Sequence, residues 1–312
     1  MRGLAGARVL ATGGAGFLGR HVADLLIAHG ASVYVPRSSV YDLRKEGDVA
    51  RLYADAQPDV VIHMAVNGGG IGYNRAHPAT IARDNMLMDT FVLKGACDAG
   101  VRKVVGIGSV CAYPKHTPVP FREEALWDGY PEETNAPYGL AKRMLLVQTQ
   151  ACREEFGLAG IHLLLANMYG PYDTFDPVRS HVVAALVRRF HEAKASGAPS
   201  VTLWGTGTVT REFLFVQDAA EAVVRATERY DGPEPVNVGT GCEHTIAELA
   251  GAVSRIVGYH GQVRWDPSMP DGQPRRVLDV SRARALFGFS AATAIEDGLA
   301  QTYAWYVAEG GA

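Results

Sequence analysis

The chain has 312 residues, 47% hydrophobic and 20% charged, with a formal net charge of -3. That balance excludes a disordered polyelectrolyte and offers no basic surface for nucleic acid or an anionic membrane. No apolar run approaches the ~18 residues of a membrane span, and Cys97, Cys111, Cys152 and Cys242 are scattered, with no C-x-x-C pair. A cytoplasmic protein without a metal site or a disulfide framework is expected.

In chain order, β-branched runs alternate with amphipathic stretches from residue 7 to 168, the pattern of a parallel sheet covered by helices. Strands are predicted over residues 7–12, 32–36, 59–64, 103–107 and 161–166. Helices are predicted over 17–29, around 82–99, and over 137–156. Beyond Tyr169 the rhythm gives way to Pro-rich and Gly-rich loops, with helices near 181–195 and 245–257. Residues 213–216 and 218–228 read as one more strand and helix.

The first predicted strand runs into Thr12-Gly13-Gly14-Ala15-Gly16-Phe17-Leu18-Gly19 and a helix follows at once. Glycines at 13, 16 and 19 suit a tight turn, close approach of backbone to a pyrophosphate, and close helix–strand packing. The helix N-terminus offers free N–H groups to the phosphates. A glycine triplet alone is a weak signal, but this one lies between a strand and a helix. The expected fold class is therefore α/β: a doubly wound parallel Rossmann sheet with a smaller C-terminal substrate-binding lobe. Residues 1–170 form the dinucleotide-binding domain, 212–240 return to it, and 171–211 with 241–312 form the lobe.

The second strand ends Val35-Pro36-Arg37-Ser38-Ser39, without the acid that usually holds an NAD ribose. Arg37 can pair with a 2′-phosphate, which favours NADP(H). The alternative is a solvated loop residue.

Tyr138 and Lys142 are four apart, just after a proline suited to open a helix, and so share one helical face. An ammonium near a phenol favours the phenolate. Among 13 tyrosines such a pair is weak evidence alone. Ser109 at the end of the 103–107 strand strengthens it, and Cys111 follows two residues later.

The glycine loop with Ser109, Tyr138 and Lys142 resembles the extended branch of the short-chain dehydrogenase/reductase superfamily, which acts on nucleotide sugars. Further motifs narrow the resemblance: GGGIG at 68–72, GSVCAYPK at 108–115, NMYGPYDTFDP before Ser180-His181, WGTGTVTREFLFVQD at 204–218 and PDGQPRRVLDVSR at 270–282. In this order they are similar to the GDP-L-fucose synthase family of 3,5-epimerase-4-reductases, over essentially the whole chain.

The resemblance implies a set of site residues. Cys111 and His181 would epimerise, while Ser109, Tyr138 and Lys142 would reduce. Gly13, Gly16, Phe17, Leu18, Gly19, Arg37, Asp42, Leu43, Ala65, Tyr138, Lys142, Asn167 and His181 would bind NADP(H). Arg189, Trp204, Arg211 and Arg276 would hold the nucleotide sugar, a GDP-hexose. It also implies a homodimer paired through the helices around 82–99 and 137–156.

Two positions depart from the family pattern: Asp173-Thr174-Phe175 stands where Asp-Asn-Phe is common, and Ala15 stands where the glycine loop often carries a basic residue. By themselves, Cys111 reads as a small buried hydrophobe and His181 as the opening of a helix capped by Ser180. Two other activities fit the pattern, a single-step sugar 4-ketoreductase or epimerase and a non-catalytic NADP(H)-sensing regulator. The second usually lacks the tyrosine or lysine present here.

Overall fold

A computed structural model describes residues 3–269 and 272–310. Pro270 and Asp271, the first two residues of one predicted substrate motif, lie outside the described residues.

The chain runs β1 (Arg8–Thr12), α1 (Phe17–Ala28), β2 (Ser32–Tyr34), α2 (Glu46–Ala56), β3 (Val60–His63), α3 (Ile71–Ala76), α4 (Pro78–Asp98) and β4 (Lys103–Ser109). It continues with α5 (Ala136–Phe156), β5 (Ala159–Leu165), β6 (Asn167–Tyr169), α6 (Val182–Ser196), β7 (Ser200–Trp204), β8 (Thr210–Arg211), β9 (Phe213–Phe215) and α7 (Val216–Arg229). The last elements are β10 (Val236–Val238), β11 (His244–Thr245), α8 (Ile246–Val257), β12 (Gln262–Asp266), α9 (Ser281–Phe287) and α10 (Ile295–Ala308).

Six strands form one parallel sheet in the order β10-β5-β4-β3-β1-β2. Strands buried on both faces should read as continuous apolar runs whose alternate residues serve opposite cores. They do. Val9, Ala11, Val60, Ile62, Val105 and Ile107 join the core under α1 and α7. Leu10, Val61 and Val104 join the core under α2, α4 and α5. The order reverses between β1 and β3, so the carboxyl ends of those strands frame the crevice where ligands bind in such sheets.

A separate core forms around α6, α8 and α10 with β7. On α6, Val183, Leu186, Val187 and Phe190 are buried at helical spacing. Parallel pairing of β12 with β7 closes this layer, from Gln262 opposite Ser200 to Asp266 opposite Trp204.

Two details differ from the sequence expectation. Residue 181, not Ser180, is the N-cap of α6, and no side chain caps that helix. Helices α2, α3, α9 and α10 and strands β6, β7, β8, β10, β11 and β12 were not anticipated. Val49, Leu52 and Tyr53 carry α2's apolar face, a spacing that three residues signal only weakly.

Candidate active site

The glycine loop is shaped by contacts that admit no side chain. A Cβ at Gly19 would lie 2.1 Å from the Gly13 carbonyl oxygen, and one at Gly13, where φ is +70°, would lie 2.7 Å from the Ala65 nitrogen. The turn, the start of α1 and the end of β3 thus pack backbone on backbone. Gly16 is the N-cap of α1, with no side chain to satisfy the first-turn N–H groups and no acid in that turn. A cradle of this kind fits a pyrophosphate. Arg37 stands exposed just beyond β2. Asp42, at the next turn, is paired with Arg44 at 2.8 Å, which holds its carboxyl below the ordinary range. Leu43 is buried in the core under α2, and Asn167 donates from Nδ2 to the Glu212 carbonyl at 3.0 Å.

Strand β4 carries Gly106 and Gly108 because His162 of the neighbouring β5 fills the space above them. A Cβ at Gly108 would lie 2.3 Å from His162 Nε2. The strand ends at Ser109, whose Oγ accepts the Cys111 N–H at 3.2 Å and so bends the chain into a short 3-10 turn over Val110–Ala112. Arg143, a buried residue of α5, pins this strap by donating from Nε to the Ala112 carbonyl at 2.7 Å and from Nη1 to the Gly129 carbonyl at 2.9 Å. Gly139 lets α5 approach it; a Cβ there would lie 2.4 Å from the Cys111 carbonyl oxygen.

Tyr138 and Lys142 share the face of α5 turned to this strap. The phenol is pushed up from its ordinary pKa, first by burial and then by Cys111 and Asp89, while Ser109 acts on it as a hydrogen-bond partner and opposes the rise. Lys142 is buried and directs its charge to Asp89 of α4, with Nζ 4.0 Å from Oδ1. The same oxygen accepts from His63 Nε2 at 2.8 Å, and His63 Nδ1 is hydrogen bonded to Thr12 Oγ1 at 2.7 Å. Burial alone would raise the Asp89 carboxyl, but Lys142 and the His63 hydrogen bond outweigh it and hold it below the ordinary value. The tyrosine is therefore biased to its protonated form, and the lysine's charge is answered from α4.

From the C-terminal segment, Arg276 reaches the strap. Its Nη1 donates to Cys111 Sγ at 3.4 Å and its Nε to Gln273 Oε1 at 3.1 Å. Opposite, the Gly68–Gly70 loop joins Tyr138 to the His181 segment. A Cβ at Gly68 would lie 3.9 Å from Tyr138 Cε2, and one at Gly70 only 2.5 Å from the Ser180 carbonyl oxygen. His181 is half exposed at the mouth of α6 and lies 3.9 Å from Asp173.

The structure thus joins Ser109 to Cys111 and to Tyr138, and Cys111 to Arg276. It ties Lys142, on the same face of α5 as Tyr138, to Asp89, and links His181 to them through the Gly68–Gly70 loop. Arg189 lies further along α6, Trp204 is exposed at the end of β7, and Arg211 donates to the Thr210 carbonyl at 2.7 Å beside the Gly272 turn. No hydrogen bond or ion pair joins Arg189 or Trp204 to the gathered group among the described residues. Asp89, His63 and Arg143 escaped the sequence reading, because each depends on a partner well removed in the chain and their spacing carries no signal. Asp173 was noted only as part of a motif, not as the partner of His181.

A parallel sheet with a glycine-lined phosphate cradle, and a Ser–Tyr–Lys set at its carboxyl edge, are features of the extended short-chain dehydrogenase/reductases. The chain belongs to the NAD dependent epimerase/dehydratase family, whose model matches residues 9–239. It is 41% identical over 304 residues to the probable GDP-L-fucose synthase 1 of Oryza sativa subsp. japonica, covering 97% of this chain and 92% of that one. Among solved structures it superposes with a TM-score of 0.91 on a GDP-6-OMe-4-keto-L-xylo-heptose reductase from C. jejuni, at 26% identity over 97% of this chain and 98% of that one. A GDP-L-fucose synthetase from Naegleria fowleri bound to NADP gives 0.88, at 25% identity over 96% and 94%. The resemblance to GDP-L-fucose synthases drawn from the motifs therefore holds along the whole chain.

Proposed function

We propose that this protein is an NADPH-dependent enzyme that converts GDP-4-keto-6-deoxymannose to GDP-L-fucose by 3,5-epimerisation and 4-keto reduction. The observation that carries this is a thiol and a serine on one strap facing Tyr138 of α5, within a chain 41% identical to a probable GDP-L-fucose synthase over nearly its full length.

Protons on C3 and C5 lie α to the C4 ketone, so removing either leaves an enolate that a donor at O4 can stabilise. Ser109 and Tyr138 are the donors for O4. Cys111 is the base, and Arg276 holds its sulfur in place by donating from Nη1 at 3.4 Å. His181, on the facing loop, is the acid that returns a proton to the other side of the ring. Lys142, anchored by Asp89, supports the tyrosine and the nicotinamide ribose. NADPH supplies the hydride that reduces C4. Tyr138, kept protonated, gives its proton to O4. Gly13, Gly16, Phe17, Leu18 and Gly19 cradle the pyrophosphate, and Arg37 meets the 2′-phosphate. Arg189, Trp204 and Arg211 hold the GDP-sugar.

In this reading residues 1–170 with 212–240 form the cofactor domain, and 171–211 with 241–312 the substrate lobe. The protein is a cytoplasmic homodimer paired through α4 and α5, where Met86, Met144 and Val147 are exposed. No helix among the described residues is long and apolar enough to cross a membrane.

The test is incubation with GDP-4-keto-6-deoxymannose and NADPH, with the product's stereochemistry read by NMR. GDP-L-fucose is expected. The likeness to a heptose reductase favours a second reading, a simple 4-ketoreductase. A product reduced at C4 but inverted at neither C3 nor C5 would establish it.

A further inference from the structure

His181 has a partner with no place in the scheme so far. Its Nδ1 lies 3.9 Å from Oδ1 of Asp173, and the side chains differ sharply in exposure, 55% against 3%. Asp173 sits in the turn after β6, held by its N–H donating to the Gly170 carbonyl at 3.3 Å. Its Oδ1 accepts the Thr174 N–H at 2.7 Å. Its Oδ2 is buried with no hydrogen-bond partner.

A buried carboxylate oxygen without a donor is costly unless a positive charge stands close by. His181 can supply that charge. As the N-cap of α6 it also sits at the positive end of a helix dipole, which works against an imidazolium. A carboxylate beside the ring offsets this, and Asp173 raises the imidazole above its ordinary pKa. Other charged groups of the neighbouring segments are engaged elsewhere. Asp176 accepts the Val178 and Arg179 N–H groups at 2.9 Å, the Arg179 guanidinium lies 4.5 Å from the centre of the Tyr73 ring, and Arg188 pairs with Glu192 at 2.8 Å. The nearby groups on the strap and α5 are engaged as well, Cys111 with Arg276 and Tyr138 with Ser109.

We propose that Asp173 is the positioning residue for His181, fixing the ring through Nδ1 and holding it as the imidazolium that serves as the acid of epimerisation. This rests on the function proposed above, but its deciding test, the titration of His181, does not. With histidine-labelled protein free of cofactor and substrate, the His181 Cε1–H resonance, assigned by its loss in His181→Gln, is followed against pH. In the wild type its midpoint should lie above the free-histidine value of ~6.5. In Asp173→Asn it should fall by about one pH unit or more, and Asp173→Glu should restore part of the shift. In D2O at pH 7.5, Asp173→Asn should slow proton return to the epimerised carbons about tenfold, matching the loss of imidazolium. An unchanged midpoint in Asp173→Asn would overturn the proposal. Should that variant fail to fold, a wild-type midpoint at or below ~6.5 overturns it equally.

Discussion

Replacing Gly139 by alanine sets two effects of known size against each other. In an exposed helix the change should stabilise by about 1 kcal/mol, because glycine is a poor helix former. Here the new Cβ would lie 2.4 Å from the Cys111 carbonyl oxygen and 3.3 Å from Ala112 Cα. Relief requires about 1 Å of separation between α5 and the strap. The strap does not yield freely, because Arg143 holds the Ala112 carbonyl at 2.7 Å and Ser109 Oγ holds the Cys111 N–H at 3.2 Å. Overpacking of this kind costs about 1–3 kcal/mol, so the net change should run from neutral to about 2 kcal/mol destabilising. Function should suffer more. A shift of 1 Å in a reacting group costs on the order of 100-fold, and the residue displaced is Cys111. Gly139→Ala should therefore lose about 100-fold in exchange of substrate protons with D2O. NADPH affinity should fall far less than exchange, since the glycine loop that grips the pyrophosphate is left intact while only Tyr138 and Lys142 of the cofactor contacts lie on the shifted helix. Urea denaturation, fluorescence titration with NADPH, and NMR-monitored exchange measure the three quantities. A variant more stable than wild type with undiminished exchange would refute the reasoning, because propensity would then have prevailed over packing.

Other outcomes follow from the same geometry. Tyr138→Phe removes the O4 proton donor and leaves Cys111 and Arg276 in place, so NADPH oxidation should fall at least ~100-fold while exchange at C3 and C5 persists; loss of both activities with cofactor still bound would contradict the division of labour. Arg37→Ala should weaken NADPH binding about tenfold and leave NADH nearly unaffected, as read by the ratio of kcat/KM values; an unchanged ratio would make Arg37 a bystander. His162 is pushed down to about 3 by burial and then by Lys142, and neither ring nitrogen has a partner. The unfolded chain therefore binds a proton below ~6.5 that the folded protein refuses, and stability falls as pH drops from ~6.5 towards 3. His162→Leu should remove about 2 kcal/mol of that acid penalty at pH 5, seen as a smaller loss of urea stability between pH 7.5 and 5; an unaltered loss would count against a buried neutral imidazole.

What the sequence determined by itself was whatever local chain physics dictates. Strands buried on both faces must be apolar throughout, which made β1, β3, β4 and β5 legible within a few residues. A phosphate turn demands glycines at fixed offsets, so the 13–19 loop was legible too, and one helical face had to carry both Tyr138 and Lys142. Ser109 and Cys111 could be placed because a strand end sits beside them. Strands β7 and β12 escaped because each has only two or three apolar residues, and helix α2 because only Val49, Leu52 and Tyr53 carry its buried face, too few to fix a period.

The tertiary structure alone decided how the charges are answered. Lys142 meets Asp89 across the packing of α4 on α5, and His63 and Thr12 extend that buried line to the glycine loop. Arg276 crosses 165 positions of chain to reach the Cys111 sulfur. The sequence suggested a phenolate beside an ammonium. In the fold, desolvation first, then Cys111 and Asp89, push the phenol above its ordinary pKa, while Lys142 directs its charge to Asp89. Pairings of this kind leave no trace in spacing, because a side chain's charge state depends on which groups the fold brings within a few ångströms and how much water it removes.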